Sequence, residues 1–173
     1  MIRAIVLLSS AVLLLLPQNR APYYPTPEDV VDRMLALAKV TSQDTVLDLG
    51  CGDGRIPIRA AQKYGARGVG VDIDPKRIEE AKANARKAGV EPLVEFRLED
   101  AMTTDVSGAT VVALYLLSSS NATLKPILTR QLKPGSRIVS HAFSMGPDWP
   151  ADEIDRFVSA RGDETTLYLW RIR

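Results

Sequence analysis

Val46-Leu47-Asp48-Leu49-Gly50-Cys51-Gly52-Asp53-Gly54-Arg55 is an apolar run that ends in an Asp-x-Gly-x-Gly-x-Gly loop. The apolar part reads as a strand over 46 to 49, and helical spacing resumes over 55 to 64. The glycines let backbone approach a ligand closely. Two phosphate cradles use glycines in a similar way, and single residues exclude both. A dinucleotide fingerprint needs Gly-x-Gly-x-x-Gly, with a pyrophosphate on the following helix N-terminus. Here Arg55 stands where the third glycine would fall. A P-loop needs Gly-x-x-x-x-Gly-Lys-Ser/Thr, and the chain contains no Gly-Lys pair. What remains is a carboxylate, Asp48, at a strand tip before a glycine turn, which suits a ligand that is cationic and carries no phosphate.

Two further strand ends repeat the pattern. Gly68-Val69-Gly70-Val71-Asp72 reads as a second buried strand, 68 to 72, and its terminal acid falls 18 positions after Gly54. That is close to the roughly 20-residue separation at which an acid grips ribose hydroxyls. A third run, 93 to 98, ends in Glu99-Asp100-Ala101-Met102. Asp100 can accept a hydrogen bond from an exocyclic amine, Ala101 leaves room, and Met102 offers a soft apolar surface to a ring. Open α/β sheets bind ligands at the carboxyl ends of their strands. Three acids at three successive strand ends therefore point to S-adenosylmethionine (SAM), with its ammonium, sulfonium, ribose and adenine. The expected cofactor set is Thr26, Asp48, Gly50, Gly52, Gly54, Asp72, Asp100, Ala101 and Met102.

The 173 residues suit one domain, and 22 basic against 21 acidic residues leave no general field toward nucleic acid. Nucleic-acid partners are not expected. One cysteine and one histidine exclude disulfide frameworks and Cys/His metal centres, so no metal is expected. Cys51 reads as a small residue in a tight turn, since no basic neighbour in sequence would activate it. Arg55 can brace the loop by pairing with Asp53. His141, at the end of a strand, reads as a hydrogen-bonding residue rather than an acid or base.

Residues 1–20 stand apart. Ala4 to Leu16 is nearly unbroken apolar sequence, too short for a comfortable span of about 20 residues and closer to a signal-peptide core. No small-x-small cleavage site follows, and an exported enzyme would lack a cytosolic cofactor. Three outcomes stay open: a membrane-proximal anchor, a cleaved signal, or a mis-chosen start. Localisation is accordingly membrane-associated, or else cytoplasmic or exported. Residues 21–173 form the expected folded domain.

Within that domain Thr26 is expected to cap a helix with Pro27 at its first position, running to about Val40. Strand and helix patterns then alternate: helix 75 to 88, opened by Pro75 and closed by Gly89, strand 110 to 117, helix 121 to 132 and strand 136 to 141. Glu153 to Ala160 and Thr165 to Ile172 flank Arg161-Gly162-Asp163 as an antiparallel hairpin. These elements make an α/β fold: a doubly wound, mostly parallel seven-stranded sheet with a C-terminal antiparallel hairpin.

Several segments carry a resemblance. Pro25-Thr26-Pro27 with Val30-Val31-Asp32-Arg33-Met34-Leu35, the glycine loop, Tyr115-Leu116-Leu117, and Leu132-Lys133-Pro134-Gly135 with Val139-Ser140-His141 occur in the order seen in one group. The chain resembles class I, seven-β-strand SAM-dependent methyltransferases, and among them the small archaeal and mitochondrial protein-lysine methyltransferases. The resemblance implies methyl transfer to lysine amines of a protein substrate. Mitochondrial members carry a hydrophobic N-terminal segment, which the resemblance makes less unexpected here. Small-molecule methylation, and a SAM-binding module without turnover, are the alternatives.

Enzymes that methylate planar amides or adenine amines present Asn/Asp-Pro-Pro-Tyr/Phe after the fourth strand. This chain has Tyr115-Leu116-Leu117-Ser118. An aromatic and apolar mouth suits a lysine stem, whose methylenes pack on apolar surface. A lysine amine, with a pKa of about 10.4 in water, must be neutral to attack, and desolvation beside a cationic sulfonium lowers that value. Tyr115 is the candidate catalytic residue, and Tyr23, Tyr24 and Tyr115 are the expected lining of the acceptor channel. For Tyr23 and Tyr24 a membrane-interface role is the alternative.

Overall fold

The computed structural model describes residues 24–173. The apolar run 4–16 and Tyr23 lie outside the described residues. No helix among the described residues is long and apolar enough to cross a membrane.

Seven strands form one sheet in the order β3-β2-β1-β4-β5-β7-β6. The strands are β1 (Thr45–Leu49), β2 (Arg67–Asp72), β3 (Val94–Leu98), β4 (Val111–Leu114), β5 (Arg137–His141), β6 (Glu153–Val158) and β7 (Glu164–Arg171). The first five are mutually parallel, and β7 pairs antiparallel with both β5 and β6. Helices α1 (Glu28–Leu37), α2 (Arg55–Tyr64), α3 (Pro75–Ala88) and α4 (Ser118–Gln131) cover the sheet, and a short 3-10 turn, Glu91–Leu93, leads into β3.

Alternation along the central strands explains the two layers. Val46, Val111, Ala113 and Val139 pack with Val30, Met34 and Leu35 of α1 and Ile56 and Ala60 of α2. Their neighbours Leu47, Val112, Leu114 and Ile138 face the other way, onto Leu124 and Leu128 of α4 and Trp170 of β7. A parallel strand covered on both faces reads as an apolar run: β4 is apolar throughout, and β1 is apolar from Val46 to Leu49 except at Asp48, which lines the cavity. Under α2 and α3 a third cluster joins Ile58, Ile78, Ala81 and Phe96. At the opposite end of the sheet from the carboxyl strand tips, Asp44 receives both Nη1 and Nη2 of Arg137, at 3.0 and 2.9 Å.

Four boundaries differ from expectation. Helix α1 ends at Leu37, and Lys39 turns to φ +52°. Thr26 does not cap it: Pro27 stands at the N-cap with no side-chain bond, and the Thr26 hydroxyl faces His141 instead. Strand β4 stops at Leu114, so Tyr115-Leu116-Leu117 is an exit loop rather than strand. Helix α4 begins three residues early, at Ser118, and continues through Pro126.

Candidate active site

Residues of the glycine loop are pinned before any ligand is considered. The Gly50 and Cys51 N–H groups both donate to Val71 O at 2.9 Å, which draws the loop across the end of β2. Gly52 N–H donates to Asp72 Oδ2 at 2.9 Å, and Asp74 N–H donates to the other oxygen at 2.9 Å. Asp72 thus braces the loop while keeping lone pairs for hydroxyl donors. Arg55 pairs with Asp53 at 2.5 Å and donates to the Thr26 carbonyl at 2.7 Å, tying the segment before α1 to the loop. The expectation for Arg55 holds.

Gly54 is a different kind of residue from Gly50 and Gly52. It caps α2 at φ +79°, and a Cβ there would lie 2.6 Å from Phe96 Cζ and 2.8 Å from Ala81 Cβ. Gly54 is not among the cavity-lining residues, and its part in the loop is close packing against Phe96 and Ala81.

The cavity itself, about 810 Å³, opens where the strand order reverses between β1 and β4. That switch point is where open α/β sheets hold ligands. Thr26, Asp48, Gly50, Gly52, Asp72, Asp100, Ala101 and Met102 line it, and so do Tyr24, Tyr115 and Phe143. Of the expected acceptor residues, Tyr24 and Tyr115 meet here. Asp100 is preset: its Oδ1 accepts from Met102 N–H at 2.9 Å, which turns the chain after β3 back toward the pocket.

Electrostatics separate the groups. Asp48 is 3% exposed and accepts no hydrogen bond among the described residues. Burial, and then the neighbouring carboxylates Asp72 and Asp53, push its pKa up to about 8. A buried carboxyl left without a donor is suited to a cationic partner. The SAM ammonium fits that description, and the positive φ of Gly50 (+86°) keeps the wall beside it free of a side chain. Burial raises the Cys51 thiol far above its usual range, helped by Asp48 and Asp72, so it is no nucleophile. Burial, with Tyr24 and Asp163 nearby, also raises the Tyr115 phenol, which stays protonated at neutral pH and cannot act as a base there. His141, 6% exposed, is depressed to about 4 by burial and is a neutral ring stacked on Tyr115 with centroids 4.0 Å apart.

A sequence model described as the ANTKMT methyltransferase domain matches residues 48–153. The chain belongs to that family. A protein-lysine N-methyltransferase of Saccharolobus islandicus is 45% identical over 152 residues, covering 87% of this chain and 93% of that one. A crystal structure described as an RNA methyltransferase from Salinibacter ruber in complex with S-adenosyl-L-homocysteine matches with a TM-score of 0.80 at 54% identity, over 86% of this chain and 94% of that one. A ribosomal protein L11 methyltransferase of Thermus thermophilus is 42% identical over 95 residues, and this chain spans 36% of its length. This ANTKMT-family protein is a class I SAM-dependent methyltransferase, with the seven-stranded fold and the cofactor that its sequence predicts.

Residues that sequence reading missed cluster on the acceptor side. Phe143, Ser119, Ser120 and Thr123 line the cavity from the turn after β5 and the first turns of α4, beside Leu117 of the mouth that the sequence does show. Phe143 stacks on Tyr115 at 6.2 Å. A β5 run followed by aromatic residues was the available signal, but nothing local says which cavity a post-strand turn faces.

Proposed function

We propose that this methyltransferase acts on lysine side-chain amines of protein substrates, with SAM as donor. The carrying observation is the cavity lining. Five aspartates, Asp48, Asp53, Asp72, Asp74 and Asp100, face two cations, Arg55 and Arg77, and Arg55 is committed to Asp53. Asp48, Asp72 and Asp100 serve the cationic donor, and the apolar and aromatic lining from Tyr24, Tyr115, Leu116, Leu117 and Phe143 suits the long methylene stem of a lysine. The Saccharolobus relative, described as a protein-lysine N-methyltransferase, supports the same reading.

Bound SAM supplies an electrophilic methyl group on a cationic sulfonium. Asp48 would hold the ammonium end, Asp72 the ribose hydroxyls, and Asp100 with Ala101 and Met102 the adenine. Thr26 closes the cradle from the segment before α1, anchored through its carbonyl to Arg55. Tyr24, Tyr115 and Phe143 enclose the lysine methylenes and exclude water, so the amine reaches its neutral form more readily than in bulk solvent. Holding that amine in line supplies much of the acceleration, since well-oriented reactants gain about 7 to 11 kcal/mol over free encounter. No base is assigned: Tyr115 is protonated and His141 is buried behind it.

An RNA acceptor is the second reading, favoured by the description of the Salinibacter relative. Radiolabelled SAM, the full chain and a cell extract separate the two. Label that survives ribonuclease and is released by protease supports lysine transfer, with acid hydrolysis yielding methyl-lysines. Label removed by ribonuclease alone, or confined to a low-mass fraction, overturns it.

A further inference from the structure

Two costly features sit side by side on the acceptor side of the cavity. Ala142 adopts φ +63°, a left-handed conformation that a non-glycine residue rarely holds. Asn121, fully buried in the first turn of α4, leaves its Oδ1 without a hydrogen-bond partner among the described residues. Reversing the amide does not help. Its Nδ2 already faces two carbonyls and a hydroxyl, Phe143 O at 3.1 Å, Ser144 O at 3.4 Å and Ser140 Oγ at 3.5 Å. The Ser140 hydroxyl is itself committed to Phe143 O at 2.6 Å, so the turn presents acceptors and fixes the donor end of Asn121 toward them.

The turn so gripped is the one that builds the aromatic wall. His141 stacks on Tyr115 before it, and Phe143 stacks on Tyr115 and lines the cavity after it. Ala142 N–H donates to Thr166 O at 2.8 Å, holding the turn from β7. Asn121 holds it from α4, whose neighbouring residues Leu117, Ser119 and Ser120 form the adjoining wall. A leucine would fill the same space without an orphaned oxygen. Its absence at a strained turn beside a reacting centre is the pattern expected when geometry is kept at the expense of stability.

We propose that Asn121 is a positioning residue for methyl transfer, locking the strained His141-Ala142-Phe143 turn so that His141 and Phe143 hold Tyr115 against the acceptor. It touches neither donor nor acceptor. The inference rests on the cavity being the methyl-transfer site, and not on the acceptor being lysine.

The test uses the full chain as Asn121→Leu, Ala142→Gly and the double variant. Single-turnover transfer from radiolabelled SAM is read in whichever acceptor fraction the wild type labels, SAM affinity by calorimetry, and amide exchange of residues 142 and 143 by mass spectrometry. Asn121→Leu is expected to slow transfer by about tenfold to a hundredfold, the scale of a misplaced reacting group, with SAM affinity within about threefold of wild type. Exchange of the turn should quicken. Ala142→Gly, which removes the reason the turn needs a lock, is expected to transfer like wild type and to restore transfer in the double variant. Label in RNA instead of protein would sink the lysine reading and leave this result standing. Unchanged exchange in Asn121→Leu overturns the proposal whatever the acceptor. So does transfer within about twofold of wild type, loss of SAM binding in parallel with transfer, or no rescue by glycine.

Discussion

Asp48 makes cofactor binding a proton-release reaction. Its carboxyl accepts no hydrogen bond among the described residues, and burial, then the neighbouring Asp72 and Asp53, raise its pKa to about 8. At pH 7 only about one molecule in ten then carries it ionised. A cationic ligand selects the ionised form, so binding at pH 7 expels about 0.9 proton from this group. The SAM amino group titrates near 8 and is bound protonated, so it takes back about 0.1, leaving a net release of about 0.8. The sign follows: as pH rises from 7 to 9, the Asp48 contribution alone tightens binding about tenfold, and the ligand's own deprotonation opposes it. Asp48→Asn isolates the ligand term. It removes the proton release and weakens binding at pH 8 by about 1.5 to 3 kcal/mol, the worth of hydrogen bonds to a charged group. Calorimetric titration at pH 7 in buffers of different protonation enthalpy counts the protons directly. Wild type that binds SAM with no proton released, or an Asp48→Asn variant that binds as tightly as wild type at pH 8, would refute the assignment of Asp48 to the cationic end of the ligand.

Two further outcomes concern the scaffold. Gly54→Ala places a methyl 2.6 Å from Phe96 Cζ on a backbone at φ +79°. A loss of about 2 to 4 kcal/mol is expected, from strain and overpacking together. It appears as a drop of roughly 5 to 15 °C in thermal unfolding, and an unchanged midpoint would contradict the packing described. Asp44 is the opposite case to Asp48. Burial acts to raise its pKa, but hydrogen bonds from Arg137, Thr110 and the Thr41 N–H outweigh it and hold it at about 2. Its folded pKa lies below the unfolded value, so its contribution of about 2 kcal/mol is present above about pH 4 and lost as pH falls toward about 2. In urea titrations at stepped pH, the stability difference between wild type and Asp44→Asn should shrink across that window. A difference independent of pH would remove Asp44 from the account.

What was legible in the sequence was local, and what was hidden depends on chain distance. The donor cradle is written in three short stretches, because each ligand-facing acid sits at or within two residues of its own strand's end: Asp48 in β1, Asp72 ending β2 and Asp100 after β3. The central parallel strands read as largely apolar runs separated by helical patterns, so the sequence of strands and helices was legible too. The acceptor wall obeys no such rule. Tyr24 and Tyr115 are legible as acceptor-channel residues, but Phe143 comes from a third, separate loop, and Asn121 reads in sequence as nothing more than an early helix residue. Thr26 shows the mechanism of failure most clearly. A threonine before Pro-Glu-Asp is a sound cap by local rules, yet its hydroxyl lies 3.5 Å from the Nδ1 of His141, 115 residues away. Pro27 stands at the N-cap of α1 with no side-chain bond, whereas a hydroxyl buried against the aromatic wall needs a partner within the fold. Tertiary demand overrides the local rule at the same places where the cavity is assembled. Residues whose local preference is violated, Thr26, Ala142 and Asn121, therefore mark where distant segments assemble the cavity wall, as the local Tyr115-Leu116-Leu117 segment marks its mouth.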